Sequence, residues 1–251
     1  MVQNDFIKHL QKNKDSNDNP FLKAQNLYRH SAEQMKKILS NIASKQDLDF
    51  MKESAKYMVD FVTKDCCTIE SLTKILEHDY HTHTHSINVG FYAVFFGSAL
   101  KLTKNELLDL SVSALLHDLG KSKIDTNIIN KKGKLSESEF AQMKEHSTFG
   151  YELAKKYGIT NKKILMGIRH HHERLDGLGY PDNLLSDEIK LFPKSIAICD
   201  VFDALTTKRS YKEAISSFEA FKLMKSDKYH LDRKLLNIFI QLMAKNENKA
   251  D

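Results

Sequence analysis

The helix-start signals that recur from residue 103 onward are the feature that most constrains the fold of this chain. Each is a hydroxyl residue followed three positions later by a glutamate: Thr103-x-x-Glu106, Ser136-x-x-Glu139 and Ser216-x-x-Glu219. In such a capping box the two side chains satisfy backbone donors of the first helical turn that have no partner within the helix. Among 251 residues there are only 3 prolines and 9 glycines, which favours helices over a sheet of short strands. We therefore predict an all-α fold.

Two further amphipathic helices are predicted before these boxes, over about 21–41 and 48–62. Their apolar residues recur at helical intervals, but neither contains a cluster of reactive groups. We interpret the segment 21–69 as a packing unit that binds a second copy of the chain or a signalling partner, with a sensor of a small signal as the alternative. The remaining predicted divisions are a mobile polar tail over 1–20, the main domain over 70–245 and a polar C-terminal tail over 246–251.

The charge and the cysteines exclude several classes of protein. The net charge is +5, but the lysines are scattered, so we predict no polymeric nucleic acid partner, whereas a phosphate-bearing substrate fits this balance. The cysteines Cys66, Cys67 and Cys199 do not form a disulfide framework and indicate reduced thiols in the cytoplasm. The longest apolar run, 89–100, is too short to span a bilayer, and no signal peptide opens the sequence. We expect a cytoplasmic protein without a membrane partner.

The adjacent residues His117 and Asp118 carry most of the functional information. They follow the apolar pair Leu115 and Leu116 where a helix is expected to end, with Gly120 in the left-handed conformation at its C-terminus. Adjacent side chains on a helix diverge by about 100°. An imidazole and a carboxylate from consecutive residues therefore reach one point only near a helix end, which is the geometry that two consecutive metal ligands need.

Other histidines and aspartates also lie at or near the ends of apolar segments. The helix that starts at Ser136, for example, is expected to turn Phe140 and Met143 inward and to reach His146. The full set of candidate metal ligands is His85, His117, Asp118, His146, His171, His172 and Asp200. Helix bundles build metal sites from inward-facing side chains of several helices, and burying so many polar groups without a shared purpose is costly. The pattern therefore predicts a metal site inside a helical bundle.

The types of ligand restrict the metal. Imidazoles and carboxylates without thiolates suit Fe, Mn, Zn, Ni or Co and argue against a structural zinc site built on cysteine. Seven ligands are too many for one ion, and we expect Asp118 to bridge two ions about 3.5–4 Å apart, a spacing that suits phosphodiester hydrolysis. Lys121 follows three residues later. We interpret it as a phosphate contact, the alternative being a charge at a helix end.

From about residue 78 onward, the chain resembles the HD-GYP domain, the bacterial family of cyclic di-GMP phosphodiesterases within the HD superfamily. The matching motifs, in order, are His85-Ser86-x-Asn88-Val89, Leu116-His117-Asp118-Leu119-Gly120-Lys121, Lys131-Lys132-Gly133-Lys134-Leu135, Met143-Lys144-x-His146-Ser147-x-x-Gly150, His171-His172-Glu173-Arg174-Leu175-Asp176-Gly177-x-Gly179-Tyr180-Pro181, and Asp200-Val201-Phe202-Asp203-Ala204-Leu205-Thr206 through Arg209-x-Tyr211. A His-Asp pair by itself is weak evidence, whereas this series is highly specific and covers about two thirds of the chain.

The resemblance implies an all-α bundle of the HD superfamily that binds two iron or manganese ions. It also implies hydrolysis of cyclic di-GMP to pGpG, and often onward to GMP, by hydroxide generated at the metals. The same seven residues are implied as metal ligands, with Asp118 and Lys121 as the catalytic residues. Lys121 and Arg209 would contact phosphate, Tyr180 would line the nucleotide pocket, and Asp203 would support the metal ligands.

The chain departs from the HD-GYP pattern where the family commonly has proline. Asp125, Lys132 and Ser210 occupy such positions, and we expect looser loops there. More important is His81, which stands where some members carry a glutamate that helps to hold a third metal ion. We expect His81 to be either a third-metal ligand or a supporting or solvent-facing residue.

The other histidines of this region, His78, His83 and His170, are interpreted as a polar rim rather than as ligands. Two alternatives to a cyclic di-GMP phosphodiesterase stay open at this point. One is a hydrolase of a related cyclic dinucleotide, and the other is a receptor or scaffold that has the same fold but no turnover.

Overall fold

The computed structural model describes residues 20–40, 44–64, 76, 82–208, 213–226 and 230–244. Of the predicted tails 1–20 and 246–251, all but Pro20 lies outside the described residues. The helices are α1 (Pro20–Ser40), α2 (Lys45–Lys64), α3 (Thr82–Ala99), α4 (Lys104–Leu116), α5 (Thr126–Ile129), α6 (Glu137–Lys144), α7 (His146–Lys156), α8 (Lys162–His170), α9 (Leu191–Thr206), α10 (Ser217–Met224) and α11 (Arg233–Ala244), with a 3₁₀ turn at Leu119–Lys123. No strand occurs within these ranges beyond isolated bridges, which confirms the predicted all-α fold. None of the helices in the described ranges is long and apolar enough to cross a membrane.

The three predicted capping boxes all form. The Thr103 hydroxyl accepts a hydrogen bond from the backbone N–H of Glu106 at 3.4 Å, and the Glu106 carboxylate accepts one from the backbone N–H of Thr103 at 3.1 Å. The boxes that begin at Ser136 and Ser216 show the same reciprocal pair. Local hydrogen bonding therefore determines where α4, α6 and α10 begin.

Helix α3 runs through the middle of the fold. Every residue from 84 to 97 is buried, as expected of a helix surrounded by other helices, and α3 packs against α1, α2, α4, α9 and α11. Gly90 allows α4 to approach closely, because a Cβ atom there would lie 2.9 Å from Cδ2 of Leu115. Polar residues of α3 such as His85 and Asn88 must therefore find their partners inside the protein.

Helices α1 and α2 share one apolar core with the rest of the chain. Tyr28 and Met35 of α1 and Met58 of α2 are buried in that core, and both helices pack against α3. The two helices cover the amphipathic stretches predicted from the sequence. The division between segments 21–69 and 70–245, and the binding of a second copy or a signalling partner at 21–69, stay predictions.

Gly120 does not end a helix in the left-handed conformation, so that prediction was wrong. Helix α4 ends at Leu116, and Gly120 lies in the 3₁₀ turn with a negative φ, packed against α7. A Cβ atom at Gly120 would lie 1.9 Å from the backbone oxygen of His146 and 2.5 Å from the backbone nitrogen of Gly150. Glycine is needed here because two backbones meet, and this contact places the end of α4 beside the start of α7.

Helix α6 also differs from the prediction. It ends at Lys144, and His146 begins the next helix instead of continuing this one. No residue of α6 is buried, and Phe140 is 48% exposed, so the predicted inward orientation of Phe140 was wrong, while Met143 is only partly buried. The reason is that α6 is a short surface helix that packs on its chain neighbours α5 and α7 rather than on the core.

Candidate metal centre

The ends of several helices bring the predicted ligands together. His117 and Asp118 follow α4. The Asp118 backbone, with φ −95° and ψ 7°, is no longer α-helical, so both side chains turn inward as the sequence predicted. The ligand atoms form two groups that share Asp118, with all atoms of a group within 4.8 Å of one another. The groups are Asp118, His146, His171 and His172, and His85, His117 and Asp118.

Four of the histidines are held through Nδ1, so that Nε2 faces the centre. A neutral imidazole carries one N–H, and an Nδ1–H that donates to an oxygen leaves the Nε2 lone pair free for a metal. The four Nδ1 contacts are His85 to Oδ2 of Asp203 at 2.7 Å, His117 to the Ala114 carbonyl at 2.6 Å, His146 to the Met143 carbonyl at 2.7 Å, and His171 to the Ile168 carbonyl at 2.8 Å. Three of these acceptors are carbonyls three residues earlier, which is the geometry of a side chain at a helix end.

Asp118 lies between the two groups and directs one oxygen toward each. Its Oδ1 atom is 3.4 Å from Nε2 of His146, whereas its Oδ2 atom is 3.4 Å from Nε2 of His117 and 3.8 Å from Nε2 of His85. The Lys121 ammonium donates to the same Oδ2 at 2.6 Å. This arrangement fits the predicted role of Asp118 as a carboxylate that two cations share.

The centre is rich in acceptors and poor in donors, which is the observation that tests whether cations fit it. Oδ1 of Asp118 and Nε2 of His117 are both buried, and neither has a hydrogen-bond partner in the described part of the chain. Buried acceptors without a partner are costly, and divalent cations satisfy this donor set of imidazoles and carboxylates. The described residues therefore fit a metal centre.

Asp200 joins the centre through His85. It belongs to neither group, but its Oδ1 atom lies 3.0 Å from Nε2 of His85. A neutral His85 that donates Nδ1–H to Asp203 directs a lone pair at Asp200, and two acceptors at this distance repel unless a proton or a cation lies between them. Asp200 is thus placed to act as a ligand beside His85.

Burial favours the neutral form of three imidazoles of the centre. It lowers the pKa of His146 to about 4 and the pKa of His172 to about 3, and it holds the pKa of His171 well below its usual value. Burial alone would raise the pKa of Asp118, but the neighbouring Lys121 ammonium and His117 outweigh it, and that pKa is lowered. Burial alone would likewise raise the pKa of Asp200, but its electrostatic interaction with the nearby His85 outweighs burial, and that pKa is lowered. These three histidines and two aspartates are therefore in the protonation states that bind cations.

Asp203 orients His85 from behind. Its Oδ2 atom accepts from His85, while its Oδ1 atom accepts from the side-chain amide of Asn88 at 2.8 Å and from the Thr207 hydroxyl at 3.1 Å. A carboxylate in this position fixes the tautomer of a ligand and raises its basicity, which is the supporting role expected for Asp203. No role was predicted for Asn88, although its spacing of three residues from His85 places it on the same helix face.

The loop between α8 and α9 is held by a second set of polar contacts. The Glu173 carboxylate accepts from the backbone N–H groups of Asp182 at 2.7 Å and Leu184 at 3.0 Å. Asp182 in turn pairs with Arg169 and with Nε2 of His170, each at 2.7 Å. The interpretation of His170 as a rim residue was wrong, because it is buried and anchors the loop. Glu173 and Asp182 are the residues that sequence reasoning missed here.

Tyr180 covers the outer side of the centre. Its ring centroid lies 4.8 Å from that of His172, and it meets the exposed Phe140 ring edge-on at 6.4 Å. The Lys144 ammonium lies 5.4 Å from the centroid of the Phe140 ring. The surface beside the candidate metal centre thus combines two aromatic rings with a cation, the groups expected to meet a nucleotide. No signal in the sequence alone identified Phe140 as part of this surface.

Some predicted residues cannot be placed. His81, the candidate third-metal ligand, and Arg209, the candidate phosphate contact, lie outside the described residues, as do His78, Cys66, Cys67 and Ser210. Asp125, expected to loosen its loop, instead caps α5 by accepting a hydrogen bond from the backbone N–H of Asn127 at 2.8 Å.

Comparison with known proteins agrees with this geometry. A family model described as an HD domain matches residues 37–235, and the chain therefore belongs to the HD domain family. The resemblance to this superfamily inferred from the motifs is confirmed.

Individual relatives point in the same direction. The chain is 32% identical over 174 residues to the cyclic di-GMP phosphodiesterase PA4108 of Pseudomonas aeruginosa, covering 69% of this chain and 42% of that protein. It is 32% identical over 163 residues to the 3′3′-cGAMP-specific phosphodiesterase 3 of Vibrio cholerae, covering 64% of this chain and 35% of that protein. The chain thus spans about two fifths of the length of the curated relatives that it matches.

The fold is also similar to a solved structure, that of Bd1817, an HDG"Y"P protein from Bdellovibrio bacteriovorus. The TM-score is 0.76 at 18% identity, and the match covers 96% of this chain and 80% of that one. At this identity the similarity concerns the fold alone.

Proposed function

We propose that this protein is a metal-dependent phosphodiesterase that hydrolyses a cyclic dinucleotide, with cyclic di-GMP as the substrate. The observation that carries the proposal is the position of Asp118, whose two oxygens face two separate groups of histidines. A single structural ion needs one group of ligands, whereas a shared carboxylate between two groups is the arrangement expected for two-metal hydrolysis. The names of the relatives supply the class of substrate.

The seven residues His85, His117, Asp118, His146, His171, His172 and Asp200 would hold two ions, with iron or manganese as the expected metals. When bound, such a pair of cations supplies Lewis-acid chemistry, polarising the phosphodiester and making water a better nucleophile near neutral pH. A third ion at His81 stays a prediction.

The protein's own contribution is to hold these groups before the substrate arrives. Hydrogen bonds through Nδ1 fix four imidazoles, so little rearrangement is needed at the moment of reaction. The Lys121 side chain is 17% exposed and bonded to Asp118, so its ammonium is open to the substrate side and can offset charge on a phosphate oxygen. Asp118 and Lys121 are thus the proposed catalytic residues, and Arg209 the proposed second phosphate contact.

The nucleobase would bind on the aromatic surface beside the centre. Tyr180 contacts both the His172 and the Phe140 rings. A flat exposed ring such as Phe140 can stack on a base, which contributes about 1–3 kcal/mol per base. The Lys144 ammonium above Phe140 would face the negative charge of the nucleotide. This surface extends the proposed pocket beyond the Tyr180 predicted from the sequence.

Two other functions are compatible with the same site. Hydrolysis of 3′3′-cGAMP is supported by the similarity to a phosphodiesterase with that specificity. Stacking on Phe140 does not separate guanine from adenine, because every base offers an aromatic face. A receptor without turnover is disfavoured by the buried acceptors around Asp118, which call for cations rather than for a nucleotide alone.

One experiment tests the proposal. The metal-free protein is loaded with Fe²⁺ or Mn²⁺, its metal content is measured, and it is incubated with cyclic di-GMP and with 3′3′-cGAMP while the linear products are separated by chromatography. We expect about two ions per chain, release of pGpG, and loss of turnover in Asp118→Ala but not in Asp187→Ala, whose carboxylate lies on the surface. Bound metal with neither substrate cleaved would contradict the proposal and favour a receptor.

A further inference from the structure

Tyr28 of α1 contacts a polar side chain of α3 near the candidate metal centre. Its side chain is buried, and its hydroxyl donates a hydrogen bond to Oδ1 of Asn88 at 2.8 Å. The two residues are 60 positions apart in the sequence. Through this hydroxyl α1 meets the polar network behind the centre.

Asn88 connects Tyr28 with Asp203 by hydrogen bonds to both. While its Oδ1 atom accepts from Tyr28, its Nδ2 atom donates to Oδ1 of Asp203 at 2.8 Å. The carboxylate sets the amide orientation in which the NH₂ group faces it, and the Tyr28 hydroxyl holds that amide in place by donating to its carbonyl oxygen. The flipped amide would place its carbonyl against the carboxylate, where two acceptors repel.

Asp203 completes the connection at His85. Its Oδ2 atom lies 2.7 Å from Nδ1 of His85, so three consecutive hydrogen bonds connect α1 with a proposed metal ligand. Asn88, Asp203 and His85 are each 1% exposed, and hydrogen bonds in such a dry, connected network polarise and strengthen one another. The orientation and basicity of His85 therefore depend on groups well behind it.

Tyr28 lies before the part of the chain that the HD domain model matches, which begins at residue 37. The helix that carries it also packs against the 3₁₀ turn that contains Lys121. We propose that Tyr28 is a positioning residue of the metal centre, which holds His85 as a ligand through Asn88 and Asp203. This inference rests on the proposed function in one respect, that His85 binds a metal ion.

The test compares two variants that each remove one buried hydroxyl from α1. Tyr28→Phe removes the first hydrogen bond of the connection. Ser31→Ala is the matched control, because the Ser31 hydroxyl is buried on the same helix without a hydrogen-bond partner in the described residues. Calorimetric titration with Mn²⁺ measures the metal affinity of each variant, and urea unfolding of the metal-free proteins measures their stability.

We expect Tyr28→Phe to weaken Mn²⁺ binding about three- to tenfold, less than the roughly 10–100-fold typical when a direct partner of a ligand is removed, because Tyr28 acts through two intervening residues. Asn88→Ala should weaken it at least as much, and Ser31→Ala should leave it unchanged. An unchanged Mn²⁺ affinity in Tyr28→Phe beside a weakened one in Asn88→Ala would overturn the inference.

A second readout separates the inference from the proposed function. The ¹⁵N resonances of the His85 ring in the metal-free protein report which nitrogen carries the proton. Tyr28→Phe should shift the Nδ1 resonance of His85, and Ser31→Ala should not. If the wild-type protein binds neither Mn²⁺ nor Fe²⁺ but Tyr28→Phe still shifts this resonance, the proposed metal centre is contradicted while the connection stands. No shift in Tyr28→Phe would contradict the connection itself.

Discussion

The Nε2 atoms of His146 and His171 face each other at 3.4 Å, while the Nδ1 atom of each ring lies within hydrogen-bond distance of a backbone carbonyl. With both protons held at Nδ1, two lone pairs point at each other across the centre. Adding a proton is unfavourable, since burial lowers the pKa of His146 to about 4 and holds that of His171 well below its usual value. A cation bound by both imidazoles removes this repulsion.

Divalent metal should therefore stabilise the protein. At a free Mn²⁺ concentration 100 times the dissociation constant, binding to the native state adds about 2.7 kcal/mol to the free energy of unfolding, which corresponds to a rise in Tm of about 5–10 °C for a chain of this size. Calorimetric scans of chelator-treated protein with and without MnCl₂ measure this difference. The rise should be lost in His171→Ala and retained in Asp187→Ala, and equal Tm values for metal-free and Mn²⁺-loaded wild type would count against the centre.

The metal-free protein should lose stability as the pH falls from 7 to 5.5. In the unfolded chain His146 and His172 titrate near pH 6.5, whereas burial lowers their pKa values in the folded protein to about 4 and about 3. Between these values the unfolded state binds more protons, so the free energy of unfolding decreases with falling pH, by about 1 kcal/mol per histidine over this range. The stabilisation is fully present above pH 6.5 and is lost toward the folded-state pKa values.

Urea unfolding of the metal-free protein at pH 7.0, 6.0 and 5.5 measures this dependence. His146→Gln removes one of the titrating groups and should give a shallower decrease. A free energy of unfolding that stays constant or rises on acidification would show that these imidazoles are already protonated in the folded state.

Phe140 offers a test of the proposed base-binding surface. Because its ring is 48% exposed, Phe140→Ala should leave the Tm unchanged, but loss of stacking should raise KM for the cyclic dinucleotide about tenfold with little change in kcat. Steady-state kinetics of pGpG release measure both constants. Phe218→Ala, which removes another exposed ring from α10, is the control, and an unchanged KM in Phe140→Ala would exclude the ring from the pocket.

Features that depend on local sequence patterns were predicted better than features that depend on contacts between distant parts of the chain. The capping box at Thr103 was predictable because its hydrogen bonds stay within one helical turn. The convergence of His117 with distant histidines was predictable because imidazoles and carboxylates at the ends of several apolar segments indicated one shared metal site. The exposure of Phe140 was not predictable, since a periodic pattern does not say which helices form the core. The contact of Tyr28 with Asn88, 60 residues away, has no counterpart in any local pattern.

Gly120 shows the same limit and yields the last prediction. The sequence indicated a helix end there, but glycine is needed because a Cβ atom would lie 1.9 Å from the backbone oxygen of His146. Backbone atoms cannot yield as a flexible side chain can, so Gly120→Ala should push the 3₁₀ turn away from α7, lowering the free energy of unfolding by at least about 2 kcal/mol. It should also weaken Mn²⁺ binding, because Asp118 and His146 move apart.

Gly133→Ala is the control. With φ 105° and no atom within 4 Å of the added Cβ, the alanine is strained but meets no neighbour. This variant should lose about 1 kcal/mol of stability but keep its Mn²⁺ affinity. Urea unfolding and calorimetric titration of both variants would separate the two effects, and a Gly120→Ala protein with wild-type stability and affinity would contradict the close approach of the two backbones.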